Sequence, residues 1–337
     1  MTLSTFRAEG PGRALLGLAA LALLAVVAMP AQAEVKINFS SAAPPADFLS
    51  KSMIVFKEKL EASAPGQFDV QNHFASSLFK QGTEVPAMQR GTLEMSTMTT
   101  FEVAQQMPQF GFFNRAYLFS DYDHMMKTMR GPIGQDYAKA VAAKMGIEIL
   151  DVAYLGTRTV ALRKKRDVKT PADMAGLKFR MPAGPDWLVL GQVLGVQGTP
   201  MGMPDVYLSL KTGTIDGQEN PLTIFRAAKF NEVSEQVVLT QHMIQPVFYA
   251  MATPVWNKLS AEQKQKVKAA ARIATDDNNT KRFADEQQVA DAVKAQGLTV
   301  SAIDLAPFRA NAEKIYATLP DAKAWDKAMM AKVLATK

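Results

Sequence analysis

Two rhythms of apolar and polar positions alternate along this chain, and the switches between them mark out its elements. Residues 34–39, Glu-Val-Lys-Ile-Asn-Phe, alternate with a period of two and predict a first strand. Residues 48–64 change to helical spacing through Phe48, Met53, Val55, Phe56 and Leu60. A short strand is expected at 68–70, a helix over 85–90 stopped by Gly91, and a strand at 93–97. Helices follow over 120–130 and 133–145, the second stopped by Gly146. Residues 147–153 are nearly all apolar, as in a strand buried on both faces.

The second half repeats the scheme. A strand at 177–180 precedes helices at 187–194 and 206–211, ended by Gly195 and Gly213. A strand begins at Ile215-Asp216, and further strands are expected at 237–239 and 248–251. Ser260-x-x-Gln263 is a capping box that opens a long polar-faced helix running to about Ala295. Two short helices near 307–319 and 322–335 finish the chain. Strands alternating with helices predict an α/β class with mostly parallel sheets. An internal echo points to two similarly built lobes: Gln89-Arg-Gly-Thr-Leu-Glu94 and Lys211-Thr-Gly-Thr-Ile-Asp216 each pass from a helix through Gly-Thr into a strand.

Composition adds a compartment. Arg7 and Arg13 precede an uncharged run over 14–29, and Ala31-Gln-Ala33 is a small-x-small cleavage site, so residues 1–33 read as a cleaved secretory signal. The run is short beside the roughly 20 residues of a membrane span; the alternative is an uncleaved anchor. Loss of Arg7, Arg13 and Glu9 would take the net charge from +6 to +5, a mild imbalance over the remaining chain. The densest basic run, 163–166, lacks interleaved aromatic residues and reads as a solvated loop rather than a nucleic-acid surface. There is no Cys, hence no disulfide framework or thiolate metal site.

Candidate chemistry concentrates between residues 180 and 221. Ligands in open α/β sheets sit beyond the carboxyl ends of strands. Arg180 ends a strand, and Met181-Pro182 keep that strand from continuing. Its guanidinium can fork onto a carboxylate, or pair with a local acid on the surface. Asn220, before Pro221, can donate and accept at a carboxylate and its neighbouring oxygen, or simply form a turn. Glu219 is placed to orient Arg180 or Asn220, or is solvated. Arg158, after the strand at 147–153, is a second cation for a ligand or for an interdomain salt bridge. Trp187 opens a helix and can close over a ligand, Tyr207 reads as core, and Met203 is an apolar wall or core residue. His73, His124 and His242 lack metal spacing, and Asp121-x-Asp123-His124, a weak metal-like cluster, reads as a helix cap. No phosphate-binding Gly-rich loop follows the first strand, and no G-x-S-x-G elbow is present. A lyase or isomerase, needing only one or two acid–base groups such as Glu219 or Asp216, stays open.

The block Leu177-Lys-Phe-Arg-Met-Pro182, Thr199-Pro-Met201, Asp205-Val-Tyr-Leu-Ser-Leu210, Asp216-Gly-Gln-Glu-Asn-Pro221, Lys229-Phe230 and Leu239-Thr-Gln-His242 resembles the DctP-type extracytoplasmic solute receptors of TRAP transporters. That resemblance implies a two-lobe periplasmic binding protein with a ligand cleft, a hinge and a long bracing helix. Lobe I would take 34–155 plus about 246–285, and lobe II 156–245 plus about 286–337, with hinge candidates near 154–157, at Gln245-Pro246 and within the long helix. It also implies a periplasmic, monomeric, non-enzymatic receptor without cofactor or metal. Its ligand would be a small organic carboxylate and its partner the membrane subunits of a TRAP permease. Arg180 matches the carboxylate-clamping Arg, Asn220 the ligand-binding amide, and Arg158 a second basic residue of some members. Members that bind sialic acid carry a Glu and an Arg where Thr99 and Glu102 stand here, and an aromatic residue at Met203. The resemblance therefore implies a smaller acid: a 2-oxo or hydroxy monocarboxylate, a dicarboxylate or a sugar acid. A sensory protein docking on a receptor kinase is the remaining alternative.

Overall fold

The structure, a computed structural model, describes residues 1–5 and 34–336. The apolar run at 14–29 and the cleavage-type site at 31–33 lie outside the described residues. Among the described residues, no helix is long and apolar enough to cross a membrane.

Nine strands among the described residues form one mixed sheet: β1 (Val35–Ser40), β2 (Phe68–His73), β3 (Met95–Met98), β4 (Ile147–Leu162), β5 (Lys178–Met181), β6 (Gln197–Pro200), β7 (Gly217–Pro221), β8 (Gln236–Ala252) and β9 (Thr299–Ser301). Their order is β2-β1-β3-β8-β4-β7-β5-β6, with β9 on β8. The order is a repeat about the β8–β4 pair. In the first half β1, helix Phe48–Ser63 and β2 form a parallel unit, and β3 joins the other side of β1 after helix Glu84–Gln89. In the second half β5, helix Pro185–Leu194 and β6 do the same, and β7 joins β5 after helix Val206–Thr212. The two glycines of the internal echo follow corresponding helices in left-handed backbone, Gly91 at φ 74° and Gly213 at φ 77°.

The middle of the sheet departs from the expected parallel arrangement. β3–β8, β8–β4 and β4–β7 are all antiparallel. The strand expected at 147–153 continues to Leu162, and those expected at 237–239 and 248–251 are one strand of 17 residues. Polar residues such as Arg158, Thr159, Thr240 and His242 interrupt the apolar runs and hid this continuity. They are buried nonetheless, because partners on nearby strands meet their polar groups: Glu219 those of Arg158 and His242, and Thr159 that of the Thr240 amide. The stretch beginning at Ile215 is also shifted. Its amide-rich residues 217–221 are themselves a strand, and Asp216 lies before it, accepting from the Lys178 amide at 2.9 Å.

The helix Ala261–Ala295, with the expected Ser260/Gln263 capping box, packs against helix Phe48–Ser63, β4 and helix Leu222–Ala227. Its buried Arg282 donates to Asp47, which caps helix Phe48–Ser63, and to Thr223 in the second half. Further along β4, Asn279 Oδ1 accepts from the Tyr154 amide at 2.6 Å and Glu286 Oε1 from the Thr157 amide at 2.6 Å. This is where β4 and β8 lose register, between Tyr154↔Pro246 and Gly156↔Gln245. Pro246 has no N–H to give the ladder, so an irregularity there leaves no unmade bond. Two of the hinge candidates read from sequence therefore face each other.

Candidate functional site

The ends of β3 and β5 and the inner faces of β4, β7 and β8 enclose a cleft with about 700 Å³ of empty space, counting its open mouth. All seven residues expected at the site line it or support it: Arg158, Arg180, Trp187, Met203, Asn220 and Thr99 on its walls, and Glu219 directly behind Arg158.

Arg180 is 1 % exposed. β5 ends one residue after it, so its side chain leaves the sheet at the mouth between the halves. Nε donates to the Met201 carbonyl at 2.8 Å and Nη2 to Gln81 Oε1 at 2.7 Å. The same Gln81 oxygen accepts from the Met203 amide at 2.9 Å, which seats Met203 on the wall. Among the described residues, no carboxylate comes within ion-pair distance of Arg180. Burial pulls its pKa down to about 9, against the distant pull of Glu219, so it stays charged at neutral pH.

Arg158 is arranged differently. Its Nε and Nη2 fork onto Glu219 at 2.5 and 2.6 Å, Nη1 donates to Gln245 Oε1 at 2.7 Å, and Nη2 reaches Asn220 Oδ1 at 3.2 Å. Its guanidinium lies 5.1 Å from the Trp187 ring, which stacks on Phe101 at 3.6 Å. Glu219 thus orients Arg158, where the sequence pointed to Arg180, Asn220 or solvent. β4 and β7 are neighbours in the sheet with Arg158 in register with Pro221, which brings the two side chains together. His242 Nε2 also donates to Glu219, at 3.1 Å, and its Nδ1 accepts from Thr240 Oγ1 at 2.8 Å, the neutral tautomer that this network requires. Burial pushes the Glu219 carboxyl up, but Arg158 and His242 outweigh it and hold it at about 2. Burial in turn pushes the His242 imidazole down.

Asn220 is held by Arg158 on its oxygen and donates to Gln218 Oε1 at 2.6 Å. Thr99 caps helix Thr100–Gln106 in a capping box with Glu102. Asp121 caps helix Tyr122–Arg130 as expected, accepting from the His124 amide at 2.8 Å. Tyr207 packs against the core from its edge: it is half-buried, and its hydroxyl donates to the exposed Glu232 at 2.8 Å.

Four contributors escaped the sequence reading: Gln81, Glu84, His242 and Gln245. Gln81 sits in an irregular segment with no periodic signal. His242 and Gln245 lie in the part of β8 whose polar residues broke the pattern. The Gln245 Nε2 group is buried without a partner among the described residues.

The family model for bacterial extracellular solute-binding protein, family 7, matches residues 39–322. A solute-binding protein of Verminephrobacter eiseniae is 31 % identical over 279 residues, covering 82 % of each chain. A TRAP periplasmic solute-binding protein of Roseobacter denitrificans, solved with bound 3-deoxy-D-manno-oct-2-ulosonic acid, superposes with a TM-score of 0.86 at 34 % identity, covering 90 % of this chain and 100 % of its own. One from Polaromonas sp. JS666, bound to D-erythronate, gives 0.84 at 28 % identity, covering 90 % and 99 %. The repeated parallel units, the paired long strands and the bracing helix are thus shared with two-lobe binding proteins. The chain belongs to bacterial extracellular solute-binding protein family 7, the DctP-type solute receptors of TRAP transporters.

Proposed function

We propose that this protein is a periplasmic receptor that captures a small organic acid on Arg180 and hands it to the membrane subunits of a TRAP permease. Arg180 carries the reading. A buried guanidinium is costly unless an anion meets it, and Arg180 is the cleft cation without one among the described residues. Arg158, neutralised by Glu219, acts as the rigid frame that aims Asn220 and Gln245. The acids bound by the relatives from Roseobacter and Polaromonas support a carboxylate ligand. In this reading the protein is exported through residues 1–33, works as a monomer and turns nothing over. Of the two acids weighed as catalytic bases, Glu219 is locked in a salt bridge and Asp216 is bound to the Lys178 amide, which favours a receptor over a lyase.

The lobes in this reading are 34–155 with about 246–285, and 156–245 with about 286–337. They close about the facing irregularities of β4 and β8 at Gly156 and Gln245. A thermal-shift screen across organic acids tests the proposal. A bound acid at a hundredfold excess over Kd stabilises by about 2.7 kcal/mol, and Arg180→Ala removes that shift while the circular dichroism of the free protein is kept. A ligand bound as tightly by Arg180→Ala, or a new product found by mass spectrometry after incubation, overturns it.

A further inference from the structure

Two acids open onto the same cleft with no basic partner. Glu84, at the start of helix Glu84–Gln89, and Glu102, in the first turn of helix Thr100–Gln106, both line it. Neither is within ion-pair distance of a Lys or Arg among the described residues. One oxygen of each is occupied: Glu84 Oε2 accepts from the Gly82 amide at 2.7 Å, and Glu102 Oε2 from the Thr99 amide at 2.9 Å. The other oxygen of each accepts nothing from the described residues. The same cleft holds an unmatched donor, the Gln245 Nε2 group, 1 % exposed and without a partner. The cleft thus carries acidic acceptors near the first half's strand ends, and in the second half the Arg180 guanidinium and the unpartnered Gln245 Nε2 donor.

We infer that Glu84 and Glu102 form a second subsite that selects acids with a single carboxylate and hydroxyl groups at the far end, and turns away diacids. This rests on the receptor reading above and narrows it. A hydroxyl can donate to an ionised carboxylate and accept from a protonated one, so it suits the pair in either state. A second carboxylate can only accept, and meets like charge. Burial, and then the charge of Glu102, raise the Glu84 carboxyl to about 7, and burial raises that of Glu102. Glu84 therefore takes up its proton as pH falls through about 7. The other charged or titratable groups facing them are Tyr137, beside Glu102, and Arg180 and Arg158 on the cleft wall. A monoacid sets no charge beside these acids, whereas the second carboxylate of a diacid is repelled less once Glu84 is protonated. Diacid affinity should therefore rise as pH falls, while monoacid affinity stays level.

Isothermal titration calorimetry with matched pairs tests this: galactonate against galactarate, gluconate against glucarate, erythronate against meso-tartrate, each at pH 8 and pH 5.5. For the monoacid that binds best, its diacid is expected to bind about 100-fold more weakly at pH 8 and within about 10-fold at pH 5.5. Glu84→Gln and Glu102→Gln, near-isosteric changes, are expected to shrink the gap at pH 8. A diacid within about threefold of its monoacid at pH 8, in the unaltered protein, overturns the inference whatever the variants do. A gap that both variants leave untouched also overturns it. If acids bind through Arg180 but only unhydroxylated or dicarboxylic ones do, the subsite fails and the receptor reading stands. If no acid in a broad screen binds, the receptor reading itself fails.

Discussion

The two halves of this molecule share a scaffold and differ in charge. Each is a parallel β–helix–β unit with a third strand entering after a helix and a left-handed glycine, and each meets a long antiparallel strand in the middle. At the cleft, the first half offers hydroxyls and two unpaired acids: Ser41, Thr97, Thr99, Glu84 and Glu102. The second offers guanidinium and amides: Arg180, Asn220 and, from β4, Arg158. One backbone plan therefore sets where the cleft-lining side chains stand, and the residues placed there give the two sides of the cleft opposite charge.

The largest effect should come from removing the cation. Arg180→Ala is expected to weaken acid binding by about 2–5 kcal/mol, the usual result of truncating one partner of a buried charge pair, whereas Thr97→Val in the other half should cost no more than about 1 kcal/mol. Calorimetry on both variants checks whether the asymmetry is real; equal losses would dissolve it.

Next come opposite pH slopes. Glu219 sits at about 2 in the fold against an ordinary 4.5, so its stabilisation is present above 4.5 and lost as pH falls toward 2. Glu84 sits at about 7 against 4.5, so its burial destabilises progressively as pH rises from 4.5 through 7. Each displacement corresponds to about 3 kcal/mol. Glu219→Gln should lower stability at pH 7 by about 3 kcal/mol, leaving Arg158 buried and unpaired, while Glu84→Gln should raise it at pH 8 by about 2–3 kcal/mol. Urea denaturation across pH 2.5 to 8 reads both, Glu219 below pH 4.5 and Glu84 above it; slopes of the same sign in the two windows would contradict the assignment.

At the seam between halves, Gly156 has φ 121°, and a Cβ there would meet Pro221 at 2.5 Å and Glu286 Oε1 at 2.8 Å. Gly156→Ala is expected to cost about 1–3 kcal/mol and to alter ligand-driven closure, seen by small-angle scattering with and without acid. The smallest effect concerns the echo itself. Gly91→Ala and Gly213→Ala should each cost about 1 kcal/mol for a left-handed backbone, Gly91 having open space and Gly213 only the movable Arg163 side chain beside it. Markedly unequal melting shifts would show that the two turns are not equivalent in energy.

Much of this was legible in the sequence because local signals and global fold agree: the Ser260/Gln263 box, the helix-stopping glycines, and the strand that delivers Arg180 before Pro182. What was not legible depends on partners distant in the chain. Arg158 and Glu219 are 61 residues apart and become a salt bridge only because β4 and β7 are neighbours. His242 and Gln245 looked like a break between strands because their burial is made tolerable by Glu219 and Arg158, which periodicity cannot see. Gln81 holds Arg180 across 99 positions from a segment with no pattern of its own.

The helix Ala261–Ala295 is one uninterrupted rod of 35 residues, and its grips are spaced by the helical turn. Deleting a single residue between Asn279 and Arg282 would rotate everything beyond it by about 100° and draw it back by about 1.5 Å. Arg282 would come off Asp47 and Thr223, and Glu286 off Thr157, at one stroke. Substitutions can retune the cleft one side chain at a time, but the length of this segment is a unit that chains of this architecture can change only by rebuilding both halves together.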